Sequence, residues 1–406
     1  MGAMPDGPLT PSAAAGADKT VNDNAEVYYG EDYWNNLPVV VARLNEKVSG
    51  DPDEYWGAHF GRSAGRVFKR ALVLNCGNGN VEQGLLGNGV VTEGIGIDYS
   101  DDLLAEARRD AADKGLPLHY HQLDVNTADL PDDEFDLVVN HAAAHHIARI
   151  DRVFRELCRR LPDDGVFVSH DYIGPHRNQY PWEAWDAANR LNQELPERLQ
   201  QEMSYPHLPT MLRMDPTEAI HSELILSTMR RYFTIDELVP LGGAIAYQLL
   251  THNARIFAAD PDDPARVAAI DRVVRADDEF TAADPEQTWF AYIVARPNKS
   301  VLEDESQLAA WSTEEDEREA AAAANGGEYY DHTTLQQLTL AVEHWESTAH
   351  RVQAYSQDVH QTYERIMGLP PYQQIRWFAR TPLGDKLRHD PRVKRLLGRG
   401  DRALRR

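Results

Sequence analysis

Residues 71–98 read ALVLNCGNGNVEQGLLGNGVVTEGIGID. Four apolar residues, Ala71 to Leu74, run directly into Asn75-Cys76-Gly77-Asn78-Gly79, and a second short run, Gly94-Ile-Gly-Ile, ends on Asp98. Glycines directly after a buried strand let the backbone approach a ligand closely and aim the following helix N-terminus at it. An acid that ends the second strand can accept hydrogen bonds from both hydroxyls of a ribose. Together they point to a cofactor that carries a nucleoside.

Outward from this stretch, short apolar strands alternate with amphipathic helices. Strands are expected at Ala71–Leu74, Gly94–Asp98, Leu118–Leu123, Phe135–Asn140 and Gly165–His170, with helices at Val81–Leu86, Asp101–Lys114 and Arg149–Leu161. Such alternation requires crossover connections and predicts an α/β fold around a doubly wound, mostly parallel sheet. Residues 171–222 interrupt it with Pro, Trp, His and Arg, and apolar segments resume at Leu224–Phe233, Ala244–Leu250 and Trp289–Ala295. An insertion beyond the carboxyl end of a strand lies where such sheets bind ligands, so 171–222 reads as a substrate cap within a domain spanning 70–296.

The remaining segments have other characters. Residues 1–24 lack periodicity and are expected to be disordered, and 25–69 form an aromatic-rich, helical lid segment. Residues 297–330, with the acidic runs Glu303-Asp304-Glu305 and Glu314-Glu315-Asp316-Glu317 and the Gly326-Gly327 pair, read as a linker. From Leu335 to Ile366 apolar or small residues recur at steps of three and four, interrupted at Ser356. This is a coiled-coil seam of about 48 Å of helix within 331–368, a C-terminal helical extension that calls for a partner: a second copy of the chain, giving a homodimer, or the protein's own surface. Residues 369–406 form a basic tail.

The chain of 406 residues has a formal charge of −24, although 386–406 carries nine Lys and Arg against two Asp. An acidic body repels phosphate backbones, which argues against nucleic acid as a partner, whereas the tail can make peripheral contact with an anionic surface. Two distant cysteines, Cys76 and Cys158, fit neither a disulfide framework nor a zinc site. No apolar run approaches the ~20 residues of a membrane helix, and no basic-then-apolar leader opens the sequence, so a cytoplasmic location is expected.

A dinucleotide site would favour G-x-G-x-x-G, and here the turn is the more compact Cys76-Gly77-Asn78-Gly79. Asp124 follows the third strand, where a carboxylate can accept from an adenine amino group. On Leu74 to Gly79, Asp98-Tyr99-Ser100, Asp124-Val125, Asp136 to Asn140, His145-His146 and Leu161-Pro-Asp-Asp-Gly165, the chain resembles the class I S-adenosylmethionine-dependent methyltransferases over 70–296. The resemblance implies a seven-stranded Rossmann-like sheet whose last strand is antiparallel. It also implies S-adenosyl-L-methionine as cofactor, with Asn75, Cys76, Gly77, Gly79, Asp98, Tyr99, Asp124, Val125 and Asn140 around it. The family usually has an acid where Val73 stands and a glycine where Asn75 stands. Asn tolerates positive φ and can keep the turn, whereas Val73 removes a usual electrostatic partner of the cofactor's methionine end. Ser49 to Trp56, His170 to Arg177, Asp215-Pro-Thr-Glu-Ala219 and Ser222 resemble uncharacterised bacterial methyltransferases associated with glycan and lipopolysaccharide assembly.

Methyl transfer asks the protein to align an acceptor and, for a hydroxyl acceptor, to remove its proton. His145, His146, His170 and His176 are the candidate bases, and Asp171 could orient one of them or simply cap the next turn. Tyr172, His176, Arg177 and Arg213 are the candidate substrate-binding residues. Aromatic faces and guanidinium forks suit a sugar or an anionic small molecule. A hard cation wants more than one carboxylate, and only Asp171 stands clearly in the right region, with Asp186 less well placed, so no metal is expected. The reading that results is O-methylation of a sugar, glycan or glycosylated or specialised bacterial metabolite. Its rivals are carboxyl- or N-methylation of a small molecule or peptide, and a methyltransferase fold retained as a scaffold. The heptad seam predicts that a chain lacking 331–406 is a folded, cofactor-competent monomer; light scattering on the truncated and full-length proteins checks it.

Overall fold

The computed structural model describes residues 32–206 and 208–330, with five isolated residues between 353 and 361. The expected disordered segment 1–24, nearly all of the seam and the basic tail lie outside the described residues. Among the described residues there are seven strands: β1 (Phe68–Leu74), β2 (Val91–Asp98), β3 (Leu118–Gln122), β4 (Leu137–His141), β5 (Val166–Tyr172), β6 (Phe233–Gly243) and β7 (Thr288–Pro297). The helices are α1 (Pro38–Ser49), α2 (Trp56–Ala64), α3 (Asn80–Gly87), α4 (Asp101–Lys114), α5 (Ile150–Arg160), α6 (Trp182–Glu194), α7 (Leu208–Met214), α8 (Leu224–Tyr232), α9 (Ala246–Leu250), α10 (Ala254–Ala258), α11 (Pro264–Ala283) and α12 (Glu305–Ala324).

The sheet order is β3-β2-β1-β4-β5-β7-β6, with β7 antiparallel to both neighbours. This is the doubly wound, seven-stranded sheet expected from the sequence. Alternation along the strands sorts the two faces. Leu72, Leu74, Ile95, Ile97, Val138 and Phe167 pack on one face with Phe154 and Leu157 of α5 and Ile225 and Met229 of α8. On the other face β2 carries Gly94 and Gly96, because the space is already filled. A Cβ on Gly96 would lie 2.6 Å from the Cys76 sulfur and 2.7 Å from the Tyr120 ring, and one on Gly94 would lie 2.8 Å from Leu118.

Local chemistry sets the ends of the elements around the site. Ser100 caps α4 by accepting from the Leu103 amide, Asp101 and Asp102 occupy its first turn, and Gly115 ends it in the left-handed region. Asp136 accepts from the amides of Lys69 and Arg70 at 3.0 and 2.9 Å, tying the approach to β4 to the start of β1. The amino ends of β1 and β4 are thereby fixed relative to one another, at the edge of the sheet opposite the site.

The acidic stretch expected as a linker contains a helix docked on the domain. Within α12, Trp311 meets Tyr232 edge-on at 5.4 Å, and Arg231 lies over the Trp311 ring while bonding Asp151 at 2.7 Å and Glu314 at 3.0 Å. Helix α5 begins at Ile150 with no side-chain cap from its own N-cap residue, Arg149. Glu315 supplies one from outside: its Oε1 accepts from the Asp151 amide at 2.9 Å and its Oε2 from the Arg152 amide at 3.2 Å. A carboxylate at a helix N-terminus satisfies orphan amides and meets the positive end of the dipole. The charge run therefore reads as a linker in sequence and acts as a cap in space. Glu315→Ala should destabilise the domain by about 1–2 kcal/mol, with Glu315→Gln costing less, as measured by urea unfolding.

Candidate active site

The carboxyl edge of the sheet carries two neighbouring constellations. At the first, the turn after β1 holds Asn75 at φ 41°, Gly77 at φ 57° and Gly79 at φ 84°. Asn75 does take the left-handed conformation, and its side chain donates to the Ala143 carbonyl at 3.2 Å, which ties this turn to the loop after β4. Asp98 sits across the turn, with Oδ2 accepting from the Gly77 amide at 2.9 Å and Oδ1 from the Ser100 amide at 2.8 Å. Burial pushes its carboxyl above the ordinary range, against the backbone amides and the nearby His146, which favour the ionised form.

Asp124 is half-buried and braces its own turn through the Asn126 amide and the Thr127 hydroxyl. Tyr99 is partly exposed beside Asp98. Three expected cofactor residues turn their side chains inward instead. Cys76 is buried with its thiol pushed well up by burial, Val125 belongs to the core, and Asn140 is wholly buried. Only the backbone of these three is left to face a ligand. Beneath the turn, Glu82 is fully buried near Cys76 and Tyr120, and burial pushes its carboxyl up to about 7. Nothing in its helical position marked it in the sequence.

The second constellation is built on the ends of β4 and β5. Asp171 is 1% exposed, and its oxygens take His145 Nδ1 at 2.6 Å, the Tyr172 amide at 2.7 Å, the Asn140 side chain at 2.9 Å and the Ala144 amide at 2.8 Å. Burial alone would raise it, but the charge of His145 and these bonds hold it below the usual carboxylate range. Burial likewise disfavours the His145 cation, yet Asp171, then Glu218 and Asp215, raise the imidazole to about 9. His146, buried beside that charge, is pushed below the ordinary histidine range. The two rings are thus pushed in opposite directions.

The insertion at 171–222 completes this arrangement. His146 Nδ1 lies 3.1 Å from the Thr217 hydroxyl, and Glu218 Oε2 lies 3.8 Å from His145 Nε2 and 3.9 Å from His146 Nε2. The Ile220 amide donates to the His145 carbonyl at 3.0 Å, pinning the Asp215–Ile220 loop to the histidine turn. Among the described residues six non-glycines have positive φ, and four of them, Ala142, Arg177, Asn178 and Ala219, surround this site. Left-handed backbone costs such a residue about 1 kcal/mol or more, and it persists where surrounding contacts force it.

Other expected site residues lie elsewhere or do other work. His170 faces away from Asp171 and stacks with His141 and Trp56, where burial pushes it down to about 3; it belongs to the packing under α2 and is not joined to the base cluster. The reason is strand alternation, which sends neighbouring side chains to opposite faces. Arg177 is 2% exposed and gives Nη1 to the carbonyls of Pro216 and Glu218, so it braces the loop that carries Glu218 rather than offering a fork to an anion. His176 stacks on Tyr330 and lies 3.2 Å from Glu223. Tyr172 is buried and donates to the Pro175 carbonyl, whereas Arg213 is exposed on α7. Asp186 pairs with Arg190 on α6. Glu218 is the residue that the sequence left unassigned; its only signal was its place in the Asp215-Pro-Thr-Glu-Ala219 motif.

Residues of the 171–222 insertion, with Tyr33 and Tyr247, line an open cavity of about 740 Å³ whose walls include Tyr33, Tyr180, Trp185 and Tyr247 and also Asp215 and Glu218. That volume suits a small molecule.

Residues 72–169, which contain the turn, Asp98, Asp124 and the histidine pair, match the family model described as a methyltransferase domain. This is a class I S-adenosylmethionine-dependent methyltransferase domain. It is 32% identical over 104 residues to YcgJ, an uncharacterized methyltransferase of Bacillus subtilis, a match covering 25% of this chain and 41% of that protein. It is 33% identical over 128 residues to the phosphatidylethanolamine N-methyltransferase of Cereibacter sphaeroides, covering 30% of this chain and 60% of the relative. The chain thus spans roughly half the length of each of these relatives. A solved S-adenosylmethionine-dependent methyltransferase of Mesorhizobium loti shares 19% identity over 59% of this chain and 96% of its own, with a TM-score of 0.36.

The residues of the first constellation fit the methyltransferase cofactor, S-adenosylmethionine. Each Asp98 oxygen takes one amide and keeps lone-pair capacity for a ribose hydroxyl, and the left-handed turn brings the backbone of β1 to the edge. Helix α3 starts without a side-chain cap, so its N-terminal dipole is not already matched by a capping side chain. Asp98→Ala should weaken binding of S-adenosylhomocysteine by about ten- to a hundredfold, as read by calorimetry, with Asp98→Asn intermediate.

Proposed function

We propose that the protein methylates a hydroxyl of a small molecule, a sugar or a glycosylated metabolite, held in the cap cavity, and that the His145–His146 pair takes the proton. The observation that carries this is the position of Glu218, which belongs both to the wall of the cavity and to the histidine cluster. An acceptor in the cavity therefore lies against the only part of the described site where a histidine is oriented by a buried carboxylate. Of the two rings, His146 is the one whose charge favours the ionised form of Asp98, and it is the one assigned the proton here.

Bound S-adenosylmethionine supplies a methyl group already activated on a sulfonium. The chain supplies alignment and proton removal. Tyr33, Tyr180, Trp185 and Tyr247 offer faces on which an apolar sugar face can rest. His146 would take the proton of the acceptor hydroxyl, which leaves the oxygen able to act as the nucleophile. His145 stays tethered to Asp171 and fixes the turn that carries both rings. A carboxyl acceptor would ionise without help, and a base assembly of this kind favours the more weakly acidic hydroxyl.

The test is turnover against a panel of sugars and glycosides, read as S-adenosylhomocysteine release and as a product mass gain of one methylene. His146→Ala should lower kcat by about 10²–10⁴-fold while leaving cofactor affinity within a few-fold. A rate that survives loss of both histidines would instead support carboxyl methylation and overturn the hydroxyl reading.

A further inference from the structure

His145 and His146 occupy successive positions of the tight turn Ala144–His146, with ring centroids 4.1 Å apart. Each ring is anchored through Nδ1, one to Asp171 at 2.6 Å and the other beside the Thr217 hydroxyl at 3.1 Å. Both Nε2 atoms lie near the same Glu218 oxygen, at 3.8 and 3.9 Å. Those separations are too long for hydrogen bonds. The two nitrogens and the oxygen instead converge, all within 4.8 Å of one another. Glu218 is steadied by its other oxygen, which accepts from Asn178 at 3.3 Å.

We propose that this cluster binds a divalent transition-metal ion through His145 Nε2, His146 Nε2 and Glu218 Oε2. The proposal deepens the functional reading above and rests on the same site, because an ion held there lies beside the acceptor cavity that Glu218 lines; with the ion bound, His146 is a ligand and not the base, and the ion takes over its task by making a bound hydroxyl more acidic. Two imidazoles and one carboxylate suit zinc, iron or manganese better than magnesium or calcium, which prefer all-oxygen shells. Bonds of about 2.1 Å set tetrahedral ligands roughly 3.4 Å apart, so the histidine–glutamate separations need to close by only about half an ångström. With three protein ligands, a fourth position is open to an oxygen of the acceptor or of water.

The outer shell is what a metal site requires and what a merely packed histidine pair does not. A ligating histidine donates its second nitrogen to a carboxylate or another acceptor, which fixes the ring and raises its basicity. Asp171 does this for His145 and is itself held by Asn140 and by the Ala144 and Tyr172 amides. The ligands also come from two separate segments, each adjoining left-handed non-glycine backbone, at Ala142 and at Ala219. The expectation of no metal looked for paired carboxylates around Asp171. Asp171 proves to stand behind a ligand, and the set that converges is His-His-Glu.

The experiment is calorimetric titration of chelator-treated, full-length protein with zinc chloride and, separately, manganese chloride. The result expected is one equivalent whose affinity falls about a hundredfold in Glu218→Gln and in His146→Ala, and about ten- to a hundredfold in Asp171→Asn. His119→Ala, which removes an exposed histidine of β3, should keep it. Retained S-adenosylhomocysteine binding shows that each variant is folded, and His146→Gln serves if His146→Ala is not. No equivalent in the wild type, or one retained undiminished by both ligand variants, would overturn the site. Zinc bound as expected by a protein that methylates no hydroxyl would uphold the site and refute the functional reading. Full turnover by a protein that binds no ion would do the reverse.

Discussion

Asp171 carries a charge at the end of β5 where almost no water reaches it, and four donors from three segments stabilise it there. An ionised carboxylate withdrawn from water costs several kcal/mol unless its lone pairs are satisfied. Here β4 contributes Asn140, the following turn contributes the Ala144 amide and His145, and β5 contributes the Tyr172 amide. The requirement fixes where the loop after β4 can go. It sets the His145 ring, and through the Ile220 amide on the His145 carbonyl it extends to the cap loop that delivers Glu218.

The cofactor edge and the histidine cluster are joined by the same turn. Asn75 reaches from the glycine turn to the Ala143 carbonyl, one residue before the Ala144 amide that bonds Asp171. A glycine at position 75 would allow the left-handed backbone but could not make that bond. The departure from the family pattern therefore retains the turn and adds a tie between the two halves of the site.

Arg177 shows how a charged residue can be misread from sequence. In a cap rich in aromatics it suggests an anion fork, whereas its burial commits it to two backbone carbonyls and makes it a brace for the Glu218 loop. His170 was equally visible, one residue before Asp171, but strand alternation places it on the opposite face in a stack with Trp56. Glu315 is the converse case, since a residue in an apparent solvated run turns out to cap α5.

The sequence by itself, in which β6 and α11 carried no local signal that was read, determined the alternation of strands and helices from β1 to β5, the glycine turn, Asp98 and Asp124 at their strand ends, and the His145-His146 pair. These are legible because each depends on residues close together in the chain, through period, turn chemistry and spacing. Tertiary structure alone decided that Asp171 serves His145 and not His170, that Glu218 joins a pair lying more than seventy positions earlier, and that α12 docks on α5. Those outcomes depend on which distant groups share a buried space and on the cost of leaving a buried charge or helix end unpaired. No local pattern encodes either.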